Sequence, residues 1–407
     1  MLSLLVLFPY FLIGTSQNVM VEAKSDPELF MTTPQMINRW GYPVLIYTVE
    51  TADGYILELH RIPYGKTNVT WPIGTKPVVF LQHGLLGASS DWTMNLPGQS
   101  AAFIFADAGF DVWLGNMRGN TYCKKHKNLK PSNSKFWQWS WDEMATYDLP
   151  AMINKVLEVT GQQSLYYVGH SQGTLTMFSH LSKDDGSFAK KIKKFFALAP
   201  IGSVKNIKGF LSFFAQYFSW TFEGWFDIFG TGEFLPSNWA MKLAAKYICD
   251  GLQIGSDLCN NVCFLIAGPK SDQWNSTRVP VYASHDPAGT STQNIIHWIQ
   301  MVRRGGVPAY DWGTKLNKKK YGQANPPLYD FTKIKGTEIY LYWSDTDWLA
   351  DKKDVTDYLL TRLNPAIIAQ NNYLLDYNHF DFVFGLRAAD EIYKPIVDIC
   401  SKDYNKH

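Results

Sequence analysis

Gly169-His170-Ser171-Gln172-Gly173 stands between Leu165-Tyr166-Tyr167-Val168, a short run of strand-forming residues, and Thr174-Leu175-Thr176-Met177-Phe178, which suits a helix. A G-x-S-x-G joining strand to helix folds as a turn so tight that only glycine fits on either side of the serine. The turn drives the hydroxyl out at the carboxyl edge of a sheet, where a substrate can reach it. The position of Ser171 therefore predicts a nucleophile elbow, and with it an α/β fold.

Working outward, strands and helices alternate around this elbow. Residues 44–49 and 55–62 alternate in polarity and flank Asp53-Gly54, a hairpin signal. Residues 77–82 and 111–114 are continuous apolar runs of the kind buried on both faces of a sheet. Residues 26–40 read as a short helical segment, 99–108 as a helix stopped by Gly109, and 142–159 as the helix before the elbow strand; 194–198 is the next strand. The pattern predicts a mainly parallel sheet with helices on both faces. It stops near Ile201, where the chain turns helical and aromatic, and returns with a strand at 338–343, a helix at 352–363, a strand at 372–375 and a final helix at 388–400. The simplest division is a leader in 1–23, a sheet domain in 24–201 and 332–407, and an inserted, mostly helical cap in 202–331.

Composition narrows the function classes. A net charge of +2 over 407 residues gives no electrostatic case for nucleic acid, and the lysine clusters at 190–194 and 315–320 are short enough to be solvated faces. Leu2 to Ile13 form an apolar stretch followed by small and polar residues, as in a secretory signal cleaved after Ser16 or Ala23; it is too short to span a bilayer comfortably, so no transmembrane anchor is expected. Asn68-Val69-Thr70 and Asn275-Ser276-Thr277 are glycosylation sequons usable in a secretory lumen. Five cysteines cannot make a disulfide scaffold, although the clustering of Cys249, Cys259 and Cys263 suggests one local bridge. No histidine lies between Cys249 and His285, so no zinc-type spacing and no metal site is read.

A serine hydroxyl needs a base to remove its proton, and the base needs a third group to fix its tautomer. In this fold the chain order is serine, acid, histidine. Beyond the cap only His379 and the terminal His407 remain, and His379 follows the last predicted strand in Asn378-His379-Phe380-Asp381-Phe382. The acid belongs in the loop Trp343-Ser344-Asp345-Thr346-Asp347-Trp348-Leu349-Ala350-Asp351, where the residues leave Asp345 and Asp347 open and Asp351 suits a helix cap. A tetrahedral oxyanion needs two aimed N–H donors. Gln172, directly after the serine, offers one, and Leu85 in His83-Gly84-Leu85-Leu86-Gly87 the other. His170 reads as packing or tuning the elbow and His180 as structural, and Cys123 lacks a partner that would activate its thiol. Residues 209–230 carry ten aromatic side chains; Gln216, Glu223 and Asp227 argue against a membrane span, leaving a buried cap helix or a lid that meets lipid.

These motifs together resemble the acid lipase family of lysosomal acid lipase and gastric lipase. The resemblance runs from Trp40-Gly41-Tyr42-Pro43 to the C-terminal helix. It rests on Glu50-Thr51-Ala52-Asp53-Gly54-Tyr55, Gln82-His83-Gly84-Leu85-Leu86, Gly115-Asn116-Met117-Arg118-Gly119-Asn120, the elbow, the cap motif Ser284-His285-Asp286-Pro287-Ala288-Gly289-Thr290-Ser291, and Asn378-His379-Phe380-Asp381-Phe382. It implies an α/β-hydrolase fold with Ser171 as nucleophile, Asp347 as acid, His379 as base, and Leu85 and Gln172 as the oxyanion hole. It further implies a Cys249–Cys259 disulfide with Cys123, Cys263 and Cys400 free, no cofactor, and hydrolysis of triacylglycerols or cholesteryl esters at acid pH in the lysosome or outside the cell. Ser344-Asp345 departs from the family's small residues, and 209–236 follows it loosely. The expectation is a serine lipase acting on neutral lipid at a lipid–water interface. A lipid-binding or signalling protein that lost turnover, or a lipid acyltransferase, is the alternative.

Overall fold

The computed structural model describes residues 26–67, 69, 71, 76–209, 212, 232–235 and 266–404. Its strands are β1 (Leu45–Glu50), β2 (Tyr55–Ile62), β3 (Val78–Gln82), β4 (Asp111–Gly115), β5 (Lys125–His126), β6 (Leu165–His170), β7 (Ile192–Leu198), β8 (Glu233–Phe234), β9 (Thr290–Ser291), β10 (Glu338–Trp343) and β11 (Ile368–Tyr373). The main sheet runs β1-β2-β4-β3-β6-β7-β10-β11, with β5 paired to β2. The β1–β2 hairpin and the β2–β4 pair are antiparallel, and every neighbour from β4 to β11 is parallel. This is the α/β-hydrolase architecture expected from the elbow.

Local chemistry accounts for the elements. β3, β4 and β6 are buried at every position, which is why they read as unbroken apolar runs. The helix α1 (Thr33–Arg39) starts at a capping box between Thr32 and Gln35. The next helix, α2 (Ala101–Asp107), ends where Gly109 takes φ +91°. A π-helical turn over Met144–Asp148 joins Trp141–Glu143 to α3 (Leu149–Thr160), closed by left-handed Gly161. The elbow helix is α4 (Gln172–Lys183).

Between β7 and β10 the described residues hold α5 (Val279–His285), α6 (Thr292–Arg304), α7 (Thr314–Tyr321) and the small antiparallel β8–β9 pair. Val279, Tyr282, Trp298, Met301 and Tyr329 of this stretch join the same hydrophobic cluster as the sheet, so this stretch packs into the core. The last helix is α8 (Lys394–Tyr404). The leader, Asn68, Cys249, Cys259, Cys263 and nearly all of the aromatic segment lie outside the described residues.

One expected strand is displaced. Leu374-Leu375 suggested a strand over 372–375, whereas β11 spans Ile368–Tyr373 and Leu375 is 61% exposed. As the sheet's edge, β11 is mostly exposed, so the apolar signal that locates buried strands is absent from it.

Candidate active site

Where β6 ends, Ser171 adopts φ 52°, ψ −119°, a conformation that costs a non-glycine residue on the order of 1–3 kcal/mol. The surroundings over-determine it. Ser171 N–H donates to Leu198 O at 3.0 Å, and Thr174 Oγ1 donates to Ser171 O at 2.7 Å. A Cβ on Gly173 would lie 2.6 Å from Gln82 O, and one on Gly169 would lie 2.9 Å from the Tyr167 ring. The two glycines therefore let α4 close down on the ends of β3 and β6.

His379 and Asp347 meet this serine at the carboxyl ends of the same sheet, the edge where open α/β folds place their chemistry. His379 Nε2 lies 2.7 Å from Ser171 Oγ, and Nδ1 lies 3.0 and 2.9 Å from the two Asp347 oxygens. All three side chains are buried. Asp347 Oδ1 also accepts the N–H groups of Leu349 and Ala350, both at 2.8 Å, which fixes the carboxylate by its own loop. Asp345 is exposed and hydrogen-bonds the Tyr373 hydroxyl instead, so its extra charge sits away from the imidazole. Asp351 caps the following helical turn through Lys353 N–H at 2.8 Å.

His379 is held by its backbone as well. Ala267 O accepts the N–H of both His379 and Trp348 at 3.1 Å, tying the loops of His379 and Asp347 together. Asn378 Oδ1 accepts Phe380 and Asp381 N–H, while Asp381 Oδ2 accepts Asn378 N–H at 2.7 Å. This reciprocal Asn–Asp box frames His379. His170 Nε2 donates to His379 O at 2.9 Å, and burial keeps the His170 ring neutral by pushing its pKa well down. His180 only accepts a structural role, bonding Ala145 O at 2.8 Å.

The Gly84-Leu85 segment lies against Ser171, for a Cβ on Gly84 would sit 3.0 Å from Ser171 Cβ. His83 sets that peptide: its Nδ1 donates to Gly84 O at 2.8 Å, and its Nε2 accepts Met117 N–H at 3.1 Å. Both bonds need a neutral ring, and burial lowers the His83 pKa to about 4. With Gly84 O held, the trans peptide aims the Leu85 N–H the opposite way. Gln172 is clamped through its side chain, whose Oε1 accepts Asn294 Nδ2 at 3.0 Å and Trp298 Nε1 at 2.8 Å. Reading the sequence did not find these two α6 residues, because nothing local links 294 or 298 to 172; nor did it find the Asn–Asp box, whose N-x-x-D spacing is the signal for it.

A mostly apolar cavity of about 450 Å³ opens on Ser171 and His379, walled by Leu85, Ile207, Trp274, Trp298, Leu349 and Phe384 among others. Among the described residues no cluster of histidine, cysteine and carboxylate could hold a metal ion, and no helix is long and apolar enough to cross a membrane. Cys123 and Cys400 are free and buried. Asn275 is half-buried, its Nδ2 donating to Gln99 Oε1 at 3.2 Å and its Oδ1 accepting the Thr277 hydroxyl at 2.7 Å.

Residues 33–96 match the model of a partial alpha/beta-hydrolase lipase region, and residues 77–386 match that of the alpha/beta hydrolase fold. The chain is 84% identical over 385 residues to lipase lipl-3 of Caenorhabditis elegans, covering 95% of each. It is 45% identical to human gastric triacylglycerol lipase over 93% of each chain. Identity to human lysosomal acid lipase/cholesteryl ester hydrolase is 44%, over 93% of this chain and 92% of that one. With this similarity across nearly its whole length, the chain belongs to the acid lipase family of α/β-hydrolases and is a carboxylic ester hydrolase.

Proposed function

We propose that this protein is a serine lipase that hydrolyses triacylglycerols, cholesteryl esters or both through an acyl-enzyme on Ser171. The observation that carries the reading is one imidazole, that of His379, bonded to Ser171 and Asp347 at the mouth of an apolar cavity. In the first half-reaction Ser171 Oγ attacks the ester carbonyl while His379 Nε2 takes its proton and returns it to the leaving alcohol. In the second, His379 deprotonates water, which attacks the acyl-enzyme and frees the fatty acid. Asp347 keeps the Nδ1–H tautomer and stabilises the imidazolium that forms. The Leu85 and Gln172 N–H groups take the oxyanion, and the apolar wall takes the acyl chain, a fit for lipid over peptide or sugar.

Residues 1–23 are read as a secretory leader, 202–331 as a cap inserted in the sheet domain, Cys249–Cys259 as its disulfide, and Asn68 and Asn275 as glycan acceptors. This places the enzyme in the lysosome or outside the cell, working at a lipid–water interface. The test is hydrolysis of a triacylglycerol emulsion and of a cholesteryl ester from pH 4 to pH 8 by the intact protein and by Ser171→Ala. Turnover that falls by about 10⁴ or more in the variant supports the reading; turnover that survives, or an intact protein that only binds the lipid, refutes it.

A further inference from the structure

The cap motif Ser284–Ser291 holds a carboxylate that the hydrolytic chemistry does not use. Asp286 meets Asp91 at the wall of the cavity, and the two carboxyls are hydrogen-bonded to each other. Two carboxylates cannot bond one another without a proton between them. Asp91 Oδ1 accepts Ala88 N–H at 3.0 Å, whereas the buried Asp286 Oδ1 has no donor in reach. Asp91 is thus the better anion, and the proton belongs to Asp286.

The pair sits on the oxyanion loop. Asp91 Oδ2 packs so closely on Gly87 that a Cβ there would be 2.2 Å away, and Ala288 N–H, two residues after Asp286, donates to Leu86 O at 2.5 Å. The titratable groups around the pair are Tyr122 beside Asp91, His285 next to Asp286 in the chain, and Tyr282, His170 and His379 along the cavity. Among the described residues no lysine or arginine acts on either carboxyl.

We propose that Asp91 and Asp286 share one proton and act as a positioning pair, which at acid pH ties Leu86-Gly87 to Pro287-Ala288 and so holds the neighbouring Leu85 N–H in place for the oxyanion. Loss of the proton to solvent leaves two facing carboxylates, which push the loop and the cap segment apart. Burial raises both carboxyls, and the Asp91 charge beside it raises Asp286 the further of the two. The pair then governs the alkaline limb of the pH profile. The assignment of a catalytic consequence rests on the lipase reading; the shared proton does not.

Infrared titration of the full chain and of Asp286→Asn separates the two. The expected result is a protonated-carboxyl band in the intact protein at pH 6 that is missing from the variant, whose amide supplies a permanent donor. No variant-sensitive band overturns the shared proton. The ratio of ester hydrolysis at pH 8 to that at pH 5 should rise about tenfold in the variant, and the thermal midpoint should fall less between those pH values. Unchanged ratio and midpoint overturn the positioning role. If the intact protein hydrolyses no ester, the lipase reading fails, while the band and the midpoint still decide the pair. Should Asp286→Asn not fold, Asp91→Asn supplies the amide from the other side and is read in the same way.

Discussion

At Ser171, strain, tautomer and proton path converge on a few atoms. The proposed base, His379, needs its proton on Nδ1, and both Asp347 oxygens lie within hydrogen-bond reach of that atom. Replacing Asp347 by Asn keeps the shape but presents an N–H to Nδ1, so kcat should fall by about 10⁴ with the fold intact. Asp345→Asn, at an exposed position, should leave kcat within about threefold. Steady-state kinetics of the two variants on a soluble ester checks the pair. The meeting of Ser171 and His379 was legible from motif and chain order. Which carboxylate meets His379 was not legible from the residues alone, because two lie two positions apart in one loop. What selects Asp347 in space is the turn it caps through Leu349 and Ala350.

The elements explain why motifs far apart in sequence belong to one site. Gly115–Asn120 braces the loop that carries His83 to Ser89: Met117 N–H fixes His83, and Asn116 Oδ1 accepts Ser89 N–H at 2.9 Å. Buried Arg118 in the same loop bonds Asp148 and, across the β1–β2 turn, Asp53 at 2.7 to 2.9 Å. Arg118→Met would leave Asp148 buried without its partner, and should lower stability by about 3–5 kcal/mol in denaturant unfolding. At the elbow, Gly173→Ala brings a methyl to 2.6 Å from Gln82 O. Prising α4 from β3 in this way should cost about 1–3 kcal/mol and most of the activity, measured by thermal unfolding beside ester hydrolysis. The buried strands were legible because burial on both faces makes them apolar throughout. The edge strand β11 and the two-residue strands β8 and β9 carry no such signal, since pairing rather than packing defines them.

Over the whole molecule, two sets of buried groups oppose each other as pH changes. His83 and His297 have pKa values lowered to about 4 by burial, so between there and about 6.5 the unfolded chain binds more protons, and stability falls as pH drops through that window. Asp381 is raised to about 7 by burial, so between about 3.9 and 7 the folded chain binds more protons, and stability falls as pH rises through that window. Asp111, Asp142, Glu143, Asp148 and Asp354 are also raised by burial and add to the second set. Scanning calorimetry from pH 4 to pH 9 should show a thermal midpoint that peaks near about pH 5; a midpoint still climbing at pH 8 would contradict this balance. None of it is visible in a net charge of +2, because the sequence counts charges without saying which are buried.

The central claim, that ester chemistry passes through Ser171, is tested most directly by a long-chain alkylphosphonate ester, which phosphonylates an activated serine and mimics the tetrahedral intermediate. Peptide mass spectrometry should find one adduct, on Ser171, appearing in step with loss of ester hydrolysis and absent from His379→Ala, where no base activates the hydroxyl. Hydrolysis abolished by an adduct on another residue, or continuing with Ser171 fully modified, would contradict the account.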